Sequence, residues 1–349
     1  MISGDRTRLA ELDVLRGFAA LAVMIYHHTA IFQSMYGSGR PAPPIPYGIL
    51  AVHLFFMISG FVIFMTLSRT RTPMDFIVSR LSRLFPVFWV AVLFTQLVVS
   101  LAPLPTGSVT WREAAVNLTM LAGPLGVQWV DNVYWSLVIE LSFYTIMLSL
   151  FITGWIKEIE HLVIPWIFAE ITAICLAHRA HQAIPQALAV VFLLKYAHLF
   201  LAGVLFYRLR FIGPSRARHL LLGCCLITQF IVHGFWAGLF GAAFFGLFYA
   251  LSMRRFPLVT MRPLVFLGTI SYSLYLIHQN IGYVIMRALS STPRIVQVLA
   301  ATVTVLVLAV LLTFLVEKPA LRLIRSMYKK RLAKLETGER VSETRTARL

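Results

Sequence analysis

Residues 12–32 read LDVLRGFAALAVMIYHHTAIF, and this stretch decides how the whole chain is understood. It is apolar over about 20 residues, the length a helix needs to cross the hydrocarbon core of a bilayer. Yet it carries Arg16 and His27. Eleven positions make about 1100° of α-helix, so the two side chains share one face, roughly 16 Å apart along the axis. An ionisable group inside a membrane helix is costly and marks a functional site by default. The pattern predicts a basic group near one membrane face and a titratable group deep in the bilayer, aligned on one stripe.

The rest of the chain extends this reading. Of its 349 residues, 59% are hydrophobic and 13% charged, and the mean hydropathy is +0.80. A soluble domain carries about a quarter charged residues. A water-soluble fold is therefore excluded, and an all-α integral membrane protein is expected. The first apolar run is too long for a cleavable signal peptide and has no small-residue cleavage site behind it. The net charge of +17 suits basic cytoplasmic loops better than nucleic acid, so no nucleic-acid partner is expected. Cys175, Cys224 and Cys225 all lie in apolar runs without metal-ligand spacing. They read as small packing residues, and no metal is expected.

Segments of spanning length occur at 12–32, 47–68, 84–104, 134–154, 161–178, 187–207, 219–235, 236–252, 263–285 and 296–316. These make about ten transmembrane helices. The thinnest division is His233–Gly234, between the seventh and eighth. With the N-terminus in the cytoplasm, 24 of the 31 lysines and arginines fall on the inner side and 5 on the outer. That asymmetry supports both termini in the cytoplasm. Merging the seventh and eighth segments would put Arg254, Arg255, Arg262 and the basic tail outside, against the rule. The outer connections at 33–46 and 104–133 could form a lid or vestibule. Residues 1–325 read as one membrane-embedded domain, and 326–349 as a basic cytoplasmic tail, disordered by composition.

Depth then groups the polar residues. His27 lies in the outer half of the first helix. Glu140, in WSLVIELSFY, falls near the same level on the fourth, and His278, in FLGTISYSLYLIHQ, does so on the ninth. A buried carboxylate must be protonated or paired, which singles out Glu140. His28 faces about 100° away from His27 and reads as structural. Ser59–Gly60 reads as a close helix contact and Tyr272 and Tyr275 as interhelical packing, while His53 lies at the mouth of the second helix. Arg80 and Arg83, in FIVSRLSRLFP at the inner end of the third helix, serve either topology or a phosphate site, since guanidinium pairs bidentately with phosphate. No Walker loop or dinucleotide fingerprint occurs. Intramembrane His, Glu and Arg also make proton relays. A proton-coupled transporter or flippase is thus the alternative, although the broken-helix repeats of transporters are not evident.

Six stretches in this order, LDVLRGFAALAVMIYHH, HLFFMISGFVI, FIVSRLSRLFPVFW, WSLVIELSFY, FLGTISYSLYLIHQ and LVEKPALRL, resemble the acyltransferase-3 family of integral-membrane acyltransferases that modify bacterial surface sugars. One departure is His53, where the family commonly has aspartate. The family's appended extracytoplasmic esterase-like domain is not found, so the stand-alone form is expected. The resemblance implies a catalytic cavity between helices and an acyl-CoA donor, usually acetyl-CoA, consumed as cosubstrate. It implies a hydroxyl acceptor on a glycan, exopolysaccharide or lipid-linked sugar, and a place in the bacterial cytoplasmic membrane. On it, His27 is the general base, Glu140 orients its imidazole, and Arg16, Arg80 and Arg83 hold the phosphates of coenzyme A. Ser59 and Tyr275 are expected on the donor path, with His53, Trp135, Tyr272 and His278 on the acceptor side. Nothing in the pattern calls for an oligomer.

Overall fold

The computed structural model describes residues 9–37, 47–105, 109–255 and 262–346; for Gln186 and from residue 334 onward it describes the backbone alone. Arg6, Arg8, Arg40 and Arg348, which entered the charge count, lie outside the described residues, as do most of the 33–46 connection and residues 106–108 of the longer one. The described chain is all helical, without strands. Helix α1 (Ala10–Tyr26) runs through a π turn at His27–Ile31 into α2 (Phe32–Tyr36). Then come α3 (Ala51–Leu67), α4 (Pro73–Leu101), the short α5 (Trp111–Asn117), α6 (Trp135–Ile152), α7 (Ile159–Arg179) and α8 (Gln186–Val191). The series closes with α9 (Ala197–Phe211), α10 (Arg216–Ser252), α11 (Arg262–Ala288), α12 (Arg294–Leu312), a second π turn at Thr313–Glu317, and α13 (Lys318–Thr346).

Seven helical segments are long and apolar enough to cross a membrane. The chain is thus a multi-pass membrane protein. That set is smaller than the run of apolar segments for physical reasons. Helix α9 has only 15 residues, α11 is diluted by buried Ser, Tyr, His and Gln, and the whole of α10 forms one segment. Yet α10 is not one rod. Gly234 interrupts it with φ +82° and ψ 177°, and the His219 and Tyr249 rings lie 5.9 Å apart. In a straight helix, residues 30 apart would be separated by about 45 Å. Residues 216–233 and 235–252 therefore form an antiparallel hairpin, closed by Gln229 Nε2 donating to Ala237 O at 3.0 Å.

Three boundaries differ from those expected. The third helix starts at Pro73 rather than 84, because Thr72 and Asp75 form a capping box that satisfies free N–H groups at the start. Arg80 and Arg83 therefore stand on helix. The 187–207 run is broken between α8 and α9, where Leu193 and Lys195 take positive φ. No glycine or proline stands between residues 191 and 197 to announce the break. After residue 325, where composition suggested disorder, α13 continues to Thr346, and the Tyr328 hydroxyl donates to Asp75 Oδ1 at 2.9 Å.

Two parallel helix pairs organise the interior. Helix α1 lies along α11, with Asp13 beside Gly268 at one end and His28 bonded to His278 at the other. Helix α3 lies along α9, from Phe56 against Phe200 to Phe64 against Tyr207. A Cβ on Gly60 would strike the Phe200 carbonyl, and one on Gly203 that of Met57. Between lipid-embedded helices, packing must do the work that the hydrophobic effect does in water, and small residues let the backbones approach.

Candidate active site

Five helices enclose a cavity of about 80 Å³, room for a handful of water molecules. Three cations reach it: Arg16 from α1 and Arg80 and Arg83 from α4. Glu140 and Tyr144 face them from α6, Ser59 from α3, and Ser271, Tyr272 and Tyr275 from α11. The helical repeat explains the local pairings. Asp13, three residues before Arg16, lies 3.6 Å from its guanidinium. Tyr144, four residues after Glu140, donates to its Oε1 at 2.5 Å, and Ser59 donates to the same oxygen at 2.7 Å. Residues three and four apart on a helix are neighbours. Arg80 donates from Nη2 to Ser79 Oγ, while its buried Nε has no partner among the described residues. An oxyanion in the cavity would satisfy that group.

At the end of this cavity away from Arg16 stands Tyr275. Its hydroxyl donates to Val133 O at 3.0 Å and lies 2.6 Å from Ser136 Oγ. His27 lies further along, outside the cavity. Its Nδ1 is 3.2 Å from the Tyr283 hydroxyl, and its ring centroid is 5.1 Å from that of His278. His27 is not among the walls of the cavity. The reason is depth: the roughly 16 Å of rise from Arg16 carries it past Tyr275. The expected Glu140–His27 pairing is corrected on the same ground, since the Glu140 bonds go to Ser59 and Tyr144. His27 begins a π turn, a distortion frequent at functional positions.

The remaining expected residues divide among several places. Tyr272 lines the cavity and donates to Leu84 O at 3.1 Å. His278 is fully buried behind Tyr275. Its Nδ1 donates to the Tyr275 carbonyl at 2.8 Å, and its Nε2 has no partner among the described residues. His28, read as structural, is fully buried and donates from Nε2 to His278 O at 2.9 Å. Trp135 lines a separate recess with Trp129, Lys195 and Tyr196. His53 turns toward α10: Gln229 Nε2 donates to its Nδ1 at 3.0 Å. Gln229 Oε1 in turn accepts from His198 Nε2 at 2.8 Å, and the other His198 nitrogen lies 3.1 Å from Glu170.

That fully buried Glu170–His198–Gln229 line was not anticipated from the sequence. Each member stands alone in an apolar run, and only the packing of α7, α9 and α10 joins them. Asp13 and Tyr144 were within reach, because each stands at helical spacing from a residue already singled out. Glu317, in the quoted LVEKPALRL, accepts from Ser273 at 3.2 Å. It is held on the second π turn, whose Thr313 hydroxyl donates to Ser273 at 2.9 Å. Among the described residues no group of His, Cys, Asp and Glu could hold a metal ion.

A family model described as an acyltransferase domain matches residues 9–314, a range that contains every cavity residue named above. No curated protein matches the chain, and no solved structure does.

Proposed function

Because this chain belongs to the acyltransferase-3 family of membrane acyltransferases, we propose that it moves an acyl group, acetyl foremost, from cytoplasmic acyl-CoA to a hydroxyl of a glycan or lipid-linked sugar, in the cytoplasmic membrane of a bacterium. The observation that carries this reading is the convergence of Arg16, Arg80 and Arg83 on one intramembrane cavity. Three guanidinium groups with one facing carboxylate suit a polyanionic donor, since each can pair bidentately with phosphate. The chain crosses the membrane about ten times on this reading, counting the α10 hairpin as two. Both termini then lie on the side where the arginines open. Glu140, held by Ser59 and Tyr144, acts as a positioning residue for the arginine cluster rather than for His27.

His27 serves as general base. With Nδ1–H donated to the Tyr283 hydroxyl, Nε2 carries the lone pair. It takes the proton of the acceptor hydroxyl as the oxygen attacks the thioester carbonyl. The carbon–sulfur bond breaks, and the proton passes from the imidazolium to the departing thiolate. The thioester end must pass Tyr275 to meet His27, so Tyr275 is the point at which donor and acceptor sides are joined. A site inside the membrane excludes water that would hydrolyse the thioester.

Radiolabelled acetyl-CoA and bacterial surface polysaccharide, incubated with the purified protein, test this. Alkali-labile label should appear on the glycan, and His27→Ala should lower its rate by about 10²- to 10⁴-fold. Arg80→Ala and Arg83→Ala should raise KM for the donor more than they lower kcat. Transfer undiminished in the His27 variant would remove the base from the mechanism. An unchanged KM would leave the two arginines a topological role only.

A further inference from the structure

A second, larger cleft opens at the opposite end of α1 and α11 from Arg16, with a volume of about 610 Å³. It lies between α2 and the turn joining α11 to α12, and its walls include Phe32, Gln33, Tyr36, Arg287, Arg294 and Gln297. Among the described residues two cations face it and no carboxylate does. Neither Arg287 nor Arg294 has an acidic partner among the described residues. Both are instead held over aromatic rings, Arg294 at 4.2 Å from the centre of Phe32 and Arg287 at 5.3 Å from that of Tyr36. Arg294 also donates to the His28 carbonyl at 3.2 Å and to Gln297 Oε1 at 3.2 Å. Its buried Nε has no partner among the described residues. Stacking on an aromatic face fixes a guanidinium plane without neutralising it, so two oriented positive charges remain for a ligand.

The cleft adjoins the proposed base. The rings of Phe32 and Tyr36 lie 5.4 and 5.7 Å from that of Tyr283, whose hydroxyl is 3.2 Å from His27 Nδ1. A ligand anchored on the arginines would thus reach toward His27 from the side opposite the arginine-lined cavity. The volume is of the size that holds a small organic ligand, well beyond a bare anion. Gln33 and Gln297 add uncharged polar groups to the wall, the Gln297 amide being itself tied to Ser290, Thr292 and Arg294.

We propose that this cleft is the acceptor site and that it takes an anionic saccharide, a sugar bearing a phosphate or carboxylate, with Arg287 and Arg294 holding the anion. The proposal rests on the acyltransferase reading and deepens it by assigning the acceptor's charge class.

The test uses the full-length protein in phosphatidylcholine nanodiscs, with thermal unfolding as the readout. The probes are N-acetylglucosamine 1-phosphate, glucuronic acid, uncharged N-acetylglucosamine, inorganic phosphate and coenzyme A. The two anionic sugars should raise Tm saturably, while the uncharged sugar does not at the same concentration. Arg287→Gln and Arg294→Gln should each weaken the anionic sugars by about tenfold or more, and the coenzyme A response should survive. Arg294→Lys, which keeps the charge but not the fork, should fall between wild type and Arg294→Gln and guards against a folding defect. An equal response to inorganic phosphate would reduce the site to an anion hole and overturn the saccharide. Stabilisation only when phosphatidylglycerol replaces the zwitterionic lipid would assign the cleft to a lipid headgroup instead. Affinity unchanged in both glutamine variants, or no response to either anionic sugar, would also overturn the proposal. A lost coenzyme A response with the sugar response intact would strike the donor reading and leave this one standing.

Discussion

Asp131 stands just ahead of α6, near the end of the 104–133 connection, and it is fully buried. It accepts from the backbone N–H groups of Val133 at 3.3 Å and Asn280 at 3.0 Å. Burial outweighs those bonds and lifts its pKa from the ordinary 3.8 to about 7. A carboxyl whose folded-state pKa is raised stabilises the fold below its unfolded value, and that contribution is lost as pH rises through the folded one. The melting temperature should therefore decline from about pH 4 to pH 7 and level off above. Asp131→Asn should flatten the decline when unfolding is followed by intrinsic fluorescence, and an unchanged slope in that variant would place the titration elsewhere. Residue-level chemistry was unevenly legible in the sequence. The Arg16–Asp13 and Glu140–Tyr144 pairs follow from helical spacing alone. The bonds of Asp131 to a helix about 150 positions away do not, because register between distant helices is set by packing.

Among the elements, the hairpin of α10 shows how one residue redirects a chain. The conformation of Gly234 belongs to a region of φ and ψ that is essentially closed to any side chain. A Cβ there would meet nothing within 4 Å, so the cost of Gly234→Ala is backbone strain alone, about 1–3 kcal/mol. A drop in Tm of that origin is expected, with the Gln229–Ala237 bond preserved in the refolded protein. An undiminished Tm would mean that contacts between the two arms hold the reversal without help from the glycine. The thin break at His233–Gly234 was visible in the sequence, and charge asymmetry argued for a turn there. The break between α8 and α9 was not, since Leu193 and Lys195 are ordinary residues forced to positive φ by their surroundings.

For the whole molecule, the parallel course of α1 and α11 brings the start of α1, the start of α11 and the second π turn to one end. The Ser273–Glu317 bond ties the middle of α11 to that π turn. The α11–α12 turn, with Ser290, lies at the other end. In a variant stripped of its three cysteines, Ser290→Cys should react with a membrane-impermeant maleimide on intact cells. Ser326→Cys should react only after lysis. Labelling of both on intact cells would refute the proposed orientation. By itself the sequence determined that the chain is helical, lives in a bilayer and carries Arg16 and Glu140 inside apolar runs, with Arg80 and Arg83 at the edge of another. These follow from composition, helical period and the cost of burying charge, all of which are local. Only the tertiary structure decided which of those groups meet: the arginines with Glu140 in one cavity, His27 beyond Tyr275 beside Tyr283, and His53 with Gln229 away from both. Such meetings depend on how helices from distant parts of the chain rotate and slide against one another, and no local pattern encodes that.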